Sequence, residues 1–402
     1  MTRRLLAIAL LALLAPSAQA SPRAWELLRA AHEGDISPAA TRVAVISPDA
    51  DALRSAQTLQ LPLFEHTLDF RTAKVEERGE GRFSWFGELA GHAGYQAAIT
   101  VVDGAFAGHV STPDGFFELT PAAGGALLQA IDHSRYPACG GAIEAEPGPL
   151  PVAAKSSGAI PEDLGDQIRL LVMYSPAAET AAGGTSQIQA QAQAAVDSAN
   201  LAFQNSQMKM RFVVASIERL DGWVEGSSSA STELSNFRAN ATAQARRDAL
   251  QADMVSLLVA ALPGACGIGY VMRTTNVNFA ANGYQVTDRD CAVGNLSWAH
   301  EHGHNVGFEH DPANGTSPGN ASRPWSFGHY VQPGTPYRTV MSYQCPQGNC
   351  TRRPYFSNPR VSFNGAPTGV EGQRDNARTG DAVADIVANF RMSSFSHRNG
   401  FE

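Results

Sequence analysis

The sequence predicts an α/β (α+β) chain in two parts, a β-rich unit followed by a larger unit built on a largely parallel, twisted sheet. Three observations predict it. Alternating or apolar runs, punctuated by Asp103-Gly104 and Asp114-Gly115, fill the first third of the chain as strands joined by hairpin turns. From about Ala142 to Gly165 the composition shifts to Glu, Pro, Ala, Ser and Gly, which marks a linker. Beyond it, apolar strand-like runs alternate with segments of helical period. With 402 residues, 44% of them hydrophobic, the chain can bury more than one core. A formal net charge of -8 and the absence of basic runs argue against nucleic acid as a partner.

The first twenty residues read as a cleavable signal peptide. Arg3 and Arg4 precede an apolar run from Leu5 to Leu14, and Ala18-Gln19-Ala20 fits a small-residue cleavage site. The run is too short to span a bilayer comfortably and no later segment is longer, so an exported protein (extracellular or periplasmic) without a membrane span is expected, with cysteines free to oxidise.

Residues 21–141 form the β-rich unit. A helical start near Trp25 to Ala31 leads into strands at Arg42–Ile46, Arg82–Glu88, Tyr95–Val102, Ala105–Ser111 and Gly115–Leu119, an antiparallel meander. Its histidines (32, 66, 92, 109, 133) are scattered and form no cluster. Residues 142–166 are the linker, exposed to proteolysis and the expected maturation site.

Residues 167–402 open with a buried-type strand at Ile168–Tyr174. A helix follows over Thr185–Asn205, with Ile188, Ala192, Ala195, Ala199 and Phe203 on one face. Strands at Met210–Ile217 and Asp253–Val259 flank a helical region over Thr232–Leu250. Short strands at Gly267–Met272 and Tyr284–Thr287 precede a helix starting near Gly294 or Asn295, and a last helix covers about Asn376–Phe390.

That helix from Gly294 carries the chemistry, His300-Glu301-x-x-His304 extended by Gly307 and His310. On a helix His300 and His304 lie one turn apart on one face and can bind one metal ion. Glu301 sits about 100° further round, near the metal without ligating it. Gly307 lets the chain turn so that His310 returns as the third ligand. Three imidazoles with an open position describe a catalytic Zn2+ site. Glu301 is then the general base for a zinc-activated water, and hydrolysis of an amide is the reaction these groups suit. His302 should point away from the metal, and Glu309 reads as a solvated loop acid.

The extended motif resembles that of metzincin zinc metalloendopeptidases, and Asp311 directly after the third histidine resembles the reprolysin (adamalysin) branch. Thr339-Val340-Met341-Ser342-Tyr343 is similar to the Met-turn, with Met341 as an apolar floor beneath the metal. Cys291-Ala292-Val293-Gly294-Asn295-Leu296-Ser297 and Phe356-Ser357-Asn358-Pro359 resemble bacterial reprolysin-like proteases, a group that includes peptidyl-Asp metalloendopeptidases. The resemblance covers roughly Gln167 to Arg391. It implies a metzincin-like catalytic domain with a twisted mixed sheet and zinc-binding helix, peptide or protein substrates, and cleavage beside acidic residues. The β-rich unit becomes a pro-domain that inhibits its own enzyme.

Animal reprolysins have proline where this chain has Tyr343. That tyrosine is similar to the one in astacins and serralysins that assists catalysis; a pocket-lining tyrosine is the other reading. No calcium-binding repeats follow, which argues against the serralysin branch, and a calcium requirement stays open.

Of five cysteines, four lie in the second unit, and spacing favours Cys266–Cys291 and Cys345–Cys350 among the three possible pairings. The fifth, Cys139, precedes the linker. Its thiolate could fill the open metal position, which resembles the cysteine switch of metzincin zymogens; a free thiol or an intermolecular bridge is the alternative. Two rival functions stand beside the endopeptidase, a zinc hydrolase of a non-protein amide and a catalytically silent binding module.

Overall fold

The computed structural model describes residues 21–28, 36–144, 166–332, 334 and 336–391. The expected signal peptide and residues 145–165 of the expected linker lie outside the described residues.

The first unit is one antiparallel sheet. Its strands are β1 (Trp25–Leu28), β2 (Ala40–Pro48), β3 (Thr58–Leu63), β4 (His66–Glu77), β5 (Arg82–Leu89), β6 (Gln96–Val102), β7 (Ala105–Thr112), β8 (Gly115–Ala122) and β9 (Gly125–Ile131), with a short helix α1 (Ala50–Ser55) between β2 and β3. The spatial order is β1-β2-β9-β8-β7-β6-β5-β4-β3, a meander from β3 to β9 closed off by β2 returning to pair with β9. An isolated bridge between Arg23 and Gln60 brings the two ends of the sheet together. The helix expected from Trp25 is instead strand β1 over Trp25–Leu28, paired with β2; residues 29–31 lie outside the described residues. Trp25 and Leu27 alternate with exposed Glu26 and Leu28, and the buried Trp25 indole donates to Pro62 O at 2.7 Å, so a distant strand decides the conformation.

The second sheet contains β10 (Ala142–Glu144), β11 (Gln167–Tyr174), β12 (Arg211–Arg219), β13 (Met254–Val259), β14 (Gly267–Val271) and β15 (Tyr284–Asp288), in the order β10-β14-β15-β13-β11-β12. All its pairs are parallel except β14 with β15, so the sheet is mixed. Its helices are α2 (Pro176–Ala182), α3 (Thr185–Asn205), α4 (Ala230–Ala239) and α5 (Ala241–Ala249). The single helical region expected over Thr232–Leu250 is two helices, because the Asn240 side chain caps a new one by accepting from Ala243 N. The first three residues of the expected linker are not loose, since they form β10 on the edge of this sheet, in parallel register with β14.

Helix α3 joins the two units. Its predicted apolar face is buried, and so are polar residues elsewhere on it, among them Gln191, Gln193, Asp197 and Ser198. Asp197 receives hydrogen bonds from Arg78 (2.7 Å), Thr100 (2.8 Å) and Ser84 of the first unit, and Ser198 bonds His109 on β7 at 3.0 Å. The contact therefore sets buried hydrogen bonds beside apolar packing, since Val102, Ala105, Ala107 and Phe116 of the first unit share one buried cluster with α3, and Phe86 and Ala98 pack on Leu201.

After β15 come α6 (Arg289–Ala292) and α7 (Ser297–Asn305). A small sheet of β16 (Tyr330–Val331), β17 (Tyr337–Arg338) and β18 (Thr351–Arg352) follows, and then α8 (Asn376–Val387). Among the described residues no helix is long and apolar enough to cross a membrane.

Candidate metal centre

Helix α7 is wholly buried and lies beneath β14 and β15. Leu296, in the left-handed region at φ 54°, precedes it, and the chain leaves through Gly307 at φ +87°. A Cβ on Gly307 would come within 2.8 Å of Met272 O, so glycine is required twice over at that turn. The turn carries His310 back to the helix. His310 Nε2 lies 3.1 Å from His300 Nε2 and 3.1 Å from His304 Nε2.

The outer ring nitrogens say which way the protons point. His300 Nδ1 meets Val340 O at 2.8 Å, His304 Nδ1 meets Phe308 O at 2.8 Å, and His310 Nδ1 meets Asn314 O at 3.3 Å. A carbonyl can only accept, so each Nδ1 carries the hydrogen and each Nε2 presents a lone pair. Three converging lone pairs repel one another unless a cation sits between them, and nitrogens at tetrahedral zinc stand roughly 3.3 Å apart. The donor set fits a metal. Burial also keeps the rings neutral, as ligation requires: it lowers His304 to about 4, and burial with the neighbouring His304 holds His300 and His310 well below the usual range.

Cys139 reaches this point from the first unit. Its sulfur and the three imidazole nitrogens lie within 4.8 Å of one another, with Sγ 3.8 Å from His304 Nε2. The segment is docked by main-chain bonds, Cys266 N to Ala138 O at 3.0 Å and Gly140 N to Gly267 O at 2.7 Å, before it continues as β10. Gly141, at φ +102°, turns its N–H back to donate to Cys139 Sγ at 3.4 Å. Burial and the adjacent Glu301 push the thiol pKa up.

Glu301 Oε2 is 3.6 Å from Cys139 Sγ, while the buried Oε1 has no hydrogen-bond partner among the described residues. Burial raises this carboxyl to about 8, opposed by Cys139 and by the positive charge of Arg352. A Cβ on Gly267 would come within 2.6 Å of Glu301 Cγ, so the edge strand leaves room for this side chain only because it carries glycine there. His302 points away, as expected, bonding Asn305 at 3.0 Å and packing on Trp298 and Phe212.

Met341 is fully buried, and a Cβ on Gly303 of α7 would collide with its sulfur. The Asp311 carboxylate accepts from Tyr343 N at 3.0 Å and from Ser342 Oγ at 3.5 Å, clasping the His310 turn to the Met341 turn. The half-buried Tyr343 ring stands 4.3 Å from that of His310, and its hydroxyl donates to Cys139 O at 3.3 Å. Disulfide Cys266–Cys291 ties the start of β14 to α6, and Cys345–Cys350 closes a loop just before β18. Cys139 is free.

Glu309 corrects an expectation. It is buried rather than solvated, and takes Arg273 Nε at 2.7 Å; Arg273 also reaches Glu144 on β10 at 3.2 Å. Reading the sequence passed over Gly303, Gly267 and Arg352. For Gly303 a signal existed: glycine inside a helix costs about 1 kcal/mol, so one within a functional helix marks a close approach.

Residues 165–357 match the model of metallo-peptidase family M12 described as Reprolysin_5. The chain is 31% identical to a peptidyl-Asp metalloendopeptidase of Xanthomonas campestris, over 88% of this chain and 87% of that one. It is 28% identical to a protein of the same description from Stenotrophomonas maltophilia, with 88% of each chain covered. Among solved structures, metalloproteinase-II from Bacteroides fragilis aligns at 12% identity and TM-score 0.38, over 63% of this chain and 81% of that one, a likeness too slight to argue from. Family match, near full-length relatives and a converging set of metal donors agree: this chain belongs to the M12 metallopeptidases and is a reprolysin-like metalloendopeptidase.

Proposed function

We propose that the protein is an exported zinc endopeptidase made as a zymogen, with His300, His304 and His310 as zinc ligands and Glu301 as general base. The observation that carries this reading is the meeting of three imidazole lone pairs with one thiol beside one carboxylate. Zinc at this site supplies Lewis acidity that polarises the scissile carbonyl. Glu301 takes the proton of the attacking water and delivers it to the departing amine. Among the described residues its Oε1 has no competing partner, and Met341 packs against the helix that aims it. Tyr343 is placed to donate to the oxygen that becomes negative during attack, the task its hydroxyl now performs for Cys139 O.

Residues 21–141 act as the inhibitory pro-domain. Cys139 would hold the metal together with the three histidines, its thiolate supported by the Gly141 N–H, and β10 fills the edge of β14 where an extended peptide would lie. The first unit is held along α3 by hydrogen bonds to Asp197 and Ser198 as well as by apolar packing, both of which its release would expose. A cut within 145–165 and loss of residues 1–20 on export complete the scheme. The described names of the relatives support cleavage beside acidic residues.

The test is zinc content and peptide hydrolysis of the full chain before and after proteolytic maturation, for wild type, Glu301→Gln and Cys139→Ala. One zinc per chain is expected in all three. Glu301→Gln should lose at least about 10³-fold in kcat. Cys139→Ala should be active before maturation, or mature early. A wild-type chain without zinc, an active Glu301→Gln, or a Cys139→Ala precursor as latent as wild type would each remove the corresponding part.

A further inference from the structure

Two buried guanidinium groups beside the metal centre form no ion pair with a carboxylate among the described residues, although the Asp311 charge acts on Arg338 and the Glu301 charge on Arg352 from further off. Arg338 Nη1 and Arg352 Nη2 donate to the same carbonyl, Ser342 O, at 2.7 and 3.2 Å. They stand opposite each other on the parallel strands β17 and β18. Among the described residues neither forms an ion pair with a carboxylate, although both are at least 95% buried. Like charges held together out of water are costly, and a fold keeps such an arrangement where an anion is meant to join it.

Arg352 is the one that faces the chemistry. Its Nη1 bonds Asn295 O at 2.7 Å, just ahead of α7, so its side chain spans the gap between the start of that helix and the turn bearing Met341 and Tyr343. Its charge is felt at Cys139, Glu301 and Tyr343. A guanidinium has more N–H donors than these two acceptors use, and the buried Nε has no hydrogen-bond partner among the described residues. Cys139 and its neighbours now lie over this region and bring no carboxylate to it.

We infer that Arg352, backed by Arg338, is the group that reads an acidic side chain on the substrate residue flanking the cleaved bond, and that it does so by donating N–H bonds to that carboxylate once the Cys139 segment has left. This rests on the endopeptidase reading and gives the acidic preference a residue. A planar fork suits a carboxylate, and the isosteric amide would leave the buried charge unanswered.

The experiment measures kcat/KM of the matured protein, expressed as the full chain, on paired peptides that differ only in Asp or Asn beside one bond. Wild type should favour Asp by roughly 10²-fold. In Arg352→Gln the Asp/Asn ratio should fall to near one, and in Arg352→Lys, which keeps the charge but not the fork, to an intermediate value. The ratio within one variant is unaffected by a general loss of active enzyme, and zinc content reports folding. If Arg352→Gln does not fold, Arg352→Lys decides. A variant that loses both substrates equally, or that shifts both pH profiles together, makes Arg352 a support for Glu301 and overturns the inference. Wild type that cleaves Asp and Asn peptides alike overturns it while leaving the endopeptidase intact. Zinc-loaded, matured wild type that cleaves neither overturns both.

Discussion

Tyr343 touches both the second unit and the Cys139 segment, its ring against His310 and its hydroxyl on Cys139 O. If the hydroxyl serves the transition state after Cys139 departs, Tyr343→Phe should lower kcat of the matured protein by roughly 10²-fold with zinc content unchanged. A variant with full activity would reduce the tyrosine to a wall of the pocket. The metal donors were legible because their geometry is local: one helical turn and one glycine exit place His300, His304 and His310 from spacing alone. Arg352 was not. Nothing in the local sequence separates Arg352 from Arg353; the strand pairing Arg338↔Arg352 sets Arg352 on Ser342 O, while Arg353 turns to Ser111 and Thr112 of the first unit. Glu309 was misread for the same reason, since its partner Arg273 is distant in sequence.

Among the elements, α7 depends on what presses against it from below. Met341 packs where Gly303 has no side chain, so Gly303→Ala inserts a methyl group into a filled contact. It should destabilise the fold by about 1–3 kcal/mol and weaken zinc binding, read as a lower unfolding midpoint and earlier loss of zinc to a chelator. Wild-type values for both would show that Met341 can simply move aside. Helix α3 was read with its bounds as observed because its period is uninterrupted over five turns or so. Strands β3, β4 and β9 went unread for different reasons: β4 is largely exposed and rich in charges, β3 carries Pro62, and Ala126-Leu127-Leu128-Gln129-Ala130 in β9 has the composition of a helix. Strand β10 is the sharper lesson. Three residues in a Gly- and Pro-rich neighbourhood become a strand only because β14 offers an unpaired edge.

At the scale of the whole molecule the two units meet through groups that titrate. Glu118 of β8 is buried against the second unit, accepting from Gly294 N at 2.9 Å, with Tyr136 Oη 3.4 Å away and Asp290 nearby. Burial first, and the Asp290 charge second, raise its carboxyl to about 8. Its proton is therefore held more tightly docked than exposed. The stabilisation is fully present below the ordinary carboxyl range and is lost as pH rises towards about 8. The difference in denaturation midpoint between the latent wild type and Glu118→Gln should change from pH 5 to pH 8 in the sense of a relatively weaker wild type at pH 8, by at least about 1 kcal/mol. Parallel profiles would mean that Glu118 keeps its charge when buried. That Asp197 and Ser198 would be buried was not legible in the sequence, because the polar residues of α3 look like an ordinary solvated face until β5, β6 and β7 are set against them.

Strand β10 also decides what happens after the chain is cut. While the backbone is continuous, Cys139 and β10 face the metal centre as part of the same molecule, at an effective concentration that no dilution changes. On the zymogen reading proposed above, a cut within 145–165 would leave Cys139 and β10 on the first unit and make that unit a separate ligand. Latency would then follow mass action, so freshly cut protein should stay silent when concentrated and wake on dilution below the dissociation constant of the two pieces. On that reading the volume into which the cut protein is released would set the moment of its activity.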